Sequence, residues 1–162
     1  AFTSHHAYVA RFKSTFNTTT DGSNLGRIYV WESDKQMILE HPITGVGPGL
    51  WGKKYVEKYQ LKEETQNLGH SHNNLLQITS ESGVLGLIGF LGFSIFVICK
   101  SLKDYIKTRN PYDLSIFVGC ISYLFLFGSI DYTWGNSSGI RIFWIVMGIM
   151  IQLKINENDK VI

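Results

Sequence analysis

The chain has 162 residues, of which 44% are hydrophobic and 17% charged, and a formal net charge of +2. So small a charge, with no basic stripe interleaved with aromatics, argues against a nucleic-acid surface. The averages suit a soluble one-core domain, but they blend two unlike parts: residues 1–70 hold most of the charge, and residues 83–153 are mostly Leu, Ile, Phe, Val and Gly.

In chain order, residues 1–24 are polar, with NTTTDGSN reading as a loop. A helix is expected from Leu25 to Glu40, with Leu25, Ile28, Trp31 and Ile38 on one stripe and Asp21, Ser23 and Asn24 available as caps. Pro42 ends it, and GVGPG at Gly45–Gly49 is a turn. Trp51, Tyr55 and Tyr59 recur at helical spacing, which predicts a short helix over Trp51–Tyr59 lying on a membrane surface.

Three apolar runs follow: Gly83–Cys99, Leu114–Ile130 and Ile142–Leu153. At about 1.5 Å per residue the first covers roughly 26 Å, close to the ~30 Å of a hydrocarbon core. Leu75–Ile78 can extend the first run, and Gly139 and Ile140 the third. The expectation is an all-α membrane protein, part of a larger helical bundle since the chain opens on Ala1. An extracytoplasmic region of short helices and loops covers residues 1–74. Three transmembrane helices lie at about 75–99, 113–130 and 139–155, and residues 156–162 form a cytoplasmic tail. Lys100, Lys103, Lys107 and Arg109 crowd the first link, whereas the link at 131–139 has no Lys or Arg. An excess of positive charge marks the cytoplasmic side, so residues 1–80 and 131–139 face outward. Tyr132, Trp134 and Trp144 then suit an outer interfacial belt. Cys99 and Cys120 lie in apolar runs and read as small hydrophobes.

Several motifs bear on chemistry. Residues 47–53 (GPGLWGK) nearly match a phosphate-binding loop, but Lys54 stands where Ser or Thr should hold Mg²⁺ and no buried strand precedes it. A turn needing glycine suffices. His70 and His72, with His5 and His6, could ligate a metal, but no carboxylate or Cys cluster has ligand spacing beside them, and no metal is expected. Alone, His72 could equally be an interfacial ring at a helix start. Gly83, Gly86, Gly89 and Gly92 repeat every three residues, the pattern of close helix packing in a membrane. Arg27 sits in the first turn of its helix, against the dipole. It is either a solvated surface residue or half of an anion site.

Two blocks, RIYVWESDKQMILEHPITGVGPG and HSHNNLLQITSESGVLGLIG, together resemble the O-antigen ligase and polymerase superfamily of bacterial membrane proteins. The ligase pattern is His, then Asn, Ser or Gln, then nine residues, then glycines spaced by three. Here it reads His72, Asn73, residues 74–82, then Gly83, Gly86 and Gly89. The block from Arg27 to Gly49 is a second, independent match, and only residues 1–26 lack a familiar pattern.

The resemblance implies an enzyme facing the periplasm or exterior of the cytoplasmic (inner) membrane. It would move a glycan from an undecaprenyl-diphosphate carrier to a hydroxyl, on lipid A core in the ligases or another sugar repeat in the polymerases. Inversion at the anomeric carbon and no metal, nucleotide or other cofactor are implied. Family members carry many more spans than three, so activity of this segment alone is in question. His72 would be the general base, since imidazole titrates near pH 6.5. Arg27 would stabilise the leaving diphosphate, with Arg11 a weaker candidate. Arg11, His70 and Asn73 are taken as substrate-binding residues. A lipid-linked donor places its diphosphate at the membrane surface, which explains a histidine at the mouth of a transmembrane run. Alternatives are a polysaccharide polymerase, a protein O-glycosylating relative, and a non-catalytic transporter of small anions. Transport would call for ionisable residues within the spans, and the first two runs have none.

Overall fold

The computed structural model describes residues 22–64 and 68–159. Arg11, His5 and His6 lie outside the described residues. The described residues are mostly helical, with no strand among them. Helix α1 spans Gly22–Glu40, and α2 spans Trp51–Lys54 and runs into a π-helical turn, Tyr55–Tyr59. Helix α3 spans Asn74–Thr108, α4 Pro111–Cys120, and α5 Ser137–Asp159. Helix α4 continues through a π-helical stretch, Ile121–Leu126, and a 3-10 turn, Phe127–Ser129. Asn74–Thr108, Pro111–Ser129 and Ser137–Glu157 are long and apolar enough to cross a membrane.

Helix α1 packs through Val30 and Met37 onto Trp51, Tyr55 and Tyr59. The expected stripe is therefore turned: Ile28 and Trp31 stay exposed while Ser33 and Asp34 are buried. Polar contacts decide this. Asp34 accepts from Trp51 Nε1 at 2.6 Å, Ser33 donates to the Tyr59 carbonyl at 2.7 Å, and Tyr59 donates to Glu40 at 2.7 Å. The aromatic stripe of Trp51–Tyr59 thus faces α1 and not a membrane. Gln60 N–H reaches back five residues to Tyr55 O, and this wider turn keeps Tyr59 on the buried side.

Helix α3 is broken at Gly83, whose φ of 63° and ψ of −163° are open essentially to glycine alone. The loop after α1 docks into the break. Val46 and Gly47 N–H donate to the carbonyls of Ser80 and Glu81 at 2.8 and 2.9 Å, and Val84 N–H donates to Pro42 O at 2.9 Å. The chains touch backbone to backbone: a Cβ on Gly83 would overlap the Ile43 carbonyl, and one on Gly45 the Glu81 carbonyl. Gly83 therefore accommodates a loop, not the neighbouring helix that its three-residue spacing suggested. A Cβ on Gly89 or Gly92 would meet nothing within 4 Å.

The expected link after the first span is nearly absent, because α3 continues to Thr108. Lys100 pairs with Asp104 one turn on at 3.0 Å, and Arg109 caps the end in left-handed conformation with φ 56°. Asn110 caps α4 by accepting from Tyr112 N–H, with Pro111 in its first turn. At this lysine-rich end Lys154 of α5 reaches Asp104 at 2.8 Å and buried Asp113 at 2.6 Å, fastening all three helices. The core between them is Phe90, Ile116, Cys120, Leu124, Phe143 and Met147. Ile88, Phe96, Ile142 and Ile145 face away from the bundle and are exposed, as a bilayer solvent favours.

Gly83→Ala is expected to cost about 3 kcal/mol or more, from forbidden backbone geometry plus overlap with Ile43, whereas Gly89→Ala should be neutral or slightly stabilising. Thermal midpoints in detergent distinguish the two. Burial pushes the Asp34 carboxyl up to about 6, against the Trp51 hydrogen bond that lowers it. A pKa raised by folding means stability present at low pH and lost as pH rises through about 6. Asn at this position cannot ionise, so Asp34→Asn should gain stability relative to the native protein as pH rises from 3.8 to about 6, and the gain should level off above that. A difference independent of pH would count against this burial effect.

Candidate active site

Residues 70–73 form the entry to α3. Asn73 is extended and caps the helix, its side-chain oxygen accepting from Leu75 and Leu76 N–H at 2.9 and 3.1 Å. His72 just before it has φ 51°, a conformation uncommon for a side chain of this size. Three contacts hold that geometry. Trp31 Nε1 donates to Ser71 O at 2.8 Å, Ser71 N–H and Oγ donate to Gln77 Oε1 at 2.7 and 2.8 Å, and Gln77 donates to Glu81 at 3.1 Å. Trp31 lies one helical turn after Arg27, so α1 presents Arg27 to the same segment.

The link between α4 and α5 supplies the opposite side. His72 Nδ1 lies 3.0 Å from Asp131 Oδ1, which also accepts Tyr132 N–H at 2.8 Å. With the proton on Nδ1, the His72 ring donates to the carboxylate and Nε2 keeps its lone pair. Partial burial pushes Asp131 up, but the Tyr132 N–H and the His72 hydrogen bond outweigh it, leaving the carboxyl below its usual range and ionised. Asn74 fixes the link: its amide donates to Leu124 O at 2.9 Å and Thr133 Oγ1 at 2.8 Å, and its carbonyl accepts Trp134 N–H at 3.0 Å. The Leu124 carbonyl lies in the π-helical stretch of α4. A side chain on Gly128 would overlap the Asn74 amide, so this close approach needs glycine.

His70 lies beside His72, with ring centroids 4.1 Å apart and the rings tilted by 55°, and its Nδ1 accepts the His72 backbone N–H at 3.2 Å. An accepting Nδ1 means a neutral ring protonated on Nε2. The surroundings agree: burial, then the charges of His72 and Arg27, lower its pKa, against Asp131, which raises it. Arg27 thus lies near enough for its field to act on His70, and no carboxylate among the described residues forms an ion pair with it. His70, His72 and Asp131 form one cluster at the start of α3, with Arg27 near enough for its charge to act on His70.

The ligand atoms of His70, His72 and Asp131 lie within 4.8 Å of one another, close enough for one cation to touch all three. A cation would first have to displace the His72 N–H from His70 and the His72 ring from Asp131, and it would face the charge of Arg27. Asn73, expected to bind substrate, has its carbonyl engaged in the cap and its amide 3.4 Å from Ser129 O. Sequence reasoning missed Asp131 and Asn74. Asp131 was signalled only by topology, as an acid in the link on the same side as His72.

Arg27→Gln should raise the His70 pKa toward the ordinary imidazole value, because a neighbouring cation is removed. Titration of the ring by NMR checks this, and an unchanged His70 would place Arg27 outside the cluster.

A family model described as O-antigen ligase matches residues 1–91. A candidate polysaccharide ligase of Rickettsia conorii is 32% identical over 146 residues, covering 83% of this chain and 33% of that protein. Its counterpart in Rickettsia prowazekii is 32% identical over 148 residues, covering 83% and 34%. The exopolysaccharide production protein ExoQ of Rhizobium meliloti is 27% identical over 118 residues, covering 68% and 27%. The chain spans about a third of the length of the curated ligase relatives it matches. The match over residues 1–91 takes in both Arg27 and His72, and with it the chain belongs to the O-antigen ligase family of membrane proteins.

Proposed function

We propose that this chain carries the reaction centre of a membrane glycosyltransferase that moves a glycan from undecaprenyl diphosphate to an acceptor hydroxyl. The observation that carries the reading is the convergence of His70, His72 and Asp131 where a transmembrane helix begins, with the charge of Arg27 acting on His70. The acceptor hydroxyl gives its proton to His72 Nε2 as its oxygen bonds to the anomeric carbon. The bond from that carbon to the diphosphate breaks on the opposite face, inverting the centre. Asp131 holds the other ring proton on Nδ1 and stabilises the imidazolium that forms. The departing diphosphate gains negative charge, which favours a guanidinium in the transition state more than in the ground state. His70 stays neutral and can hydrogen-bond to a sugar or phosphate, and Asn73 acts by capping α3 so that His72 is aimed. Arg11 remains a further phosphate contact in this reading. The site faces the periplasm or exterior of the cytoplasmic membrane, with the lysine-rich end inward.

Lipid A core is the acceptor in the ligase form of this reaction. A second repeat unit is the acceptor in a polymerase, a form that the likeness to an exopolysaccharide production protein supports.

Membranes containing the protein would be given an undecaprenyl-diphosphate glycan, with lipid A core and further donor as rival acceptors. His72→Ala is expected to lower transfer by about 10²–10⁴-fold, and Asp131→Asn by a comparable factor with insertion intact. Arg27→Lys should also impair transfer, because an ammonium lacks the bidentate fork. Product on lipid A core would assign a ligase, and growth of the donor a polymerase. Transfer that ignores His72, or none to either acceptor, would sink the reading.

A further inference from the structure

Asp131 Oδ1 faces both imidazoles of the cluster, 3.0 Å from His72 Nδ1 and 3.7 Å from His70 Nδ1. One proton, that of His72 Nδ1, lies among these three atoms. His70 Nδ1 presents a lone pair, because it accepts the His72 backbone N–H at 3.2 Å. A lone pair and a carboxylate oxygen therefore face each other across 3.7 Å with no proton between them, an arrangement that a cation relieves. Zinc bound by nitrogen and oxygen at about 2.0–2.1 Å sets tetrahedral ligand atoms roughly 3.3 Å apart. The two distances to Asp131 bracket that value, and the donor atoms of the three residues all lie within 4.8 Å of one another. The backbone that carries them is held. Ser71, between the histidines, is buried and bonded to Gln77, and the contacts of Asn74 with Thr133 and Trp134 fix the link that bears Asp131.

We propose that His70, His72 and Asp131 form an inhibitory Zn²⁺ site whose fourth position is open to water. Two imidazoles and one carboxylate suit zinc, whereas Mg²⁺ and Ca²⁺ take oxygen ligands. Binding exchanges two contacts. The bond from the His72 N–H to His70 is long, and both residues are partly open to solvent, so water takes the place of His70 there. The His72 ring loses its Nδ1 proton and gains one on Nε2, which leaves the ring neutral. The Arg27 charge that acts on His70 also opposes the cation, so zinc is held reversibly and is not a resident ion. The inhibitory effect rests on the glycosyl-transfer reading. In that reading Nε2 takes the proton of the acceptor hydroxyl, and zinc on Nδ1 fills Nε2 with a proton of its own. The metal thus disables the base from the opposite side of its ring.

The test adds Zn²⁺ alone to the purified full-length protein in detergent and measures affinity by competition with a chromophoric chelator. One equivalent is expected to bind and to raise the thermal midpoint. His70→Ala and Asp131→Asn should each weaken binding by about tenfold or more and remove that rise, since losing a ligand does at least as much as losing an outer-shell partner. His5→Ala combined with His6→Ala should change neither. Midpoints without metal establish that the variants fold, and His70→Gln, which keeps the bulk of the side chain, replaces His70→Ala if the latter does not. Absence of binding, affinity unchanged in Asp131→Asn, or affinity lost with His5 and His6 would overturn the site. Zinc should also lower glycan transfer over the range in which it binds the donor-free protein, with recovery on adding a chelator. Zinc held by the three residues with transfer undiminished would overturn the inhibition and reject His72 Nε2 as the base. Transfer that depends on His72 in a protein that binds no zinc would reject the site and leave the transfer reading standing.

Discussion

The structure depends on an exchange of backbone hydrogen bonds between a loop and a broken helix. Interrupting α3 at Gly83 deprives the carbonyls of Ser80 and Glu81 and the amide of Val84 of their helical partners. Unpaired, each would cost about 1–3 kcal/mol, and more where lipid replaces water. The Pro42–Gly47 loop meets all three. Neither element is stable in this form without the other, and two glycines, Gly45 and Gly83, let them approach so closely. The loop is continuous with α1, so its docking also sets where α1 stands against the start of α3. Arg27 and His72 are thereby related through main-chain geometry, which resists change better than side-chain contacts do.

The site at the start of α3 sets two imidazoles between an anionic Asp131 and the cationic Arg27. Asp131 is anionic and hydrogen-bonded to His72, while Arg27 disfavours a proton on His70. Adjacent imidazoles are thus given unlike environments, one hydrogen-bonded to a carboxylate and one held neutral. The scaffold around them is unusually rich in buried polar side chains: Asp34, Ser71, Asn74 and Gln77 are almost fully enclosed. Such groups fix one arrangement because each alternative leaves a hydrogen bond unmade. The widened turns of α4 serve the same end, turning the Tyr123 and Leu124 carbonyls toward Thr133 and Asn74.

The spans were legible because an uncharged apolar run long enough to cross a bilayer has few other uses. Arg27, His72 and the glycine block were legible as a pattern, though not their causes. Gly83 read as a helix-packing residue because spacing records periodicity and carries no backbone angle. Trp51, Tyr55 and Tyr59 read as a membrane-surface stripe, since an aromatic face that seeks lipid looks the same as one that seeks another helix. The stripe of α1 was misplaced for a related reason: Asp34 and Ser33 enter the core because Trp51 and Tyr59 supply partners there, and sequence does not show partners. Asp131 was missed because it lies 59 residues from His72, with two helices between them.

The ion cluster at the lysine-rich end has a consequence for biogenesis. Asp113 is almost wholly buried, and its counter-ion Lys154 is near the end of the last span. Synthesis proceeds from the N-terminus, so α4 is made well before the residue that neutralises it. An uncompensated carboxylate in the membrane is costly, which favours holding the start of α4 near the aqueous boundary until α5 arrives. Arrival of α5 then supplies, through Lys154, the one side chain among the described residues that reaches both Asp104 of α3 and Asp113 of α4.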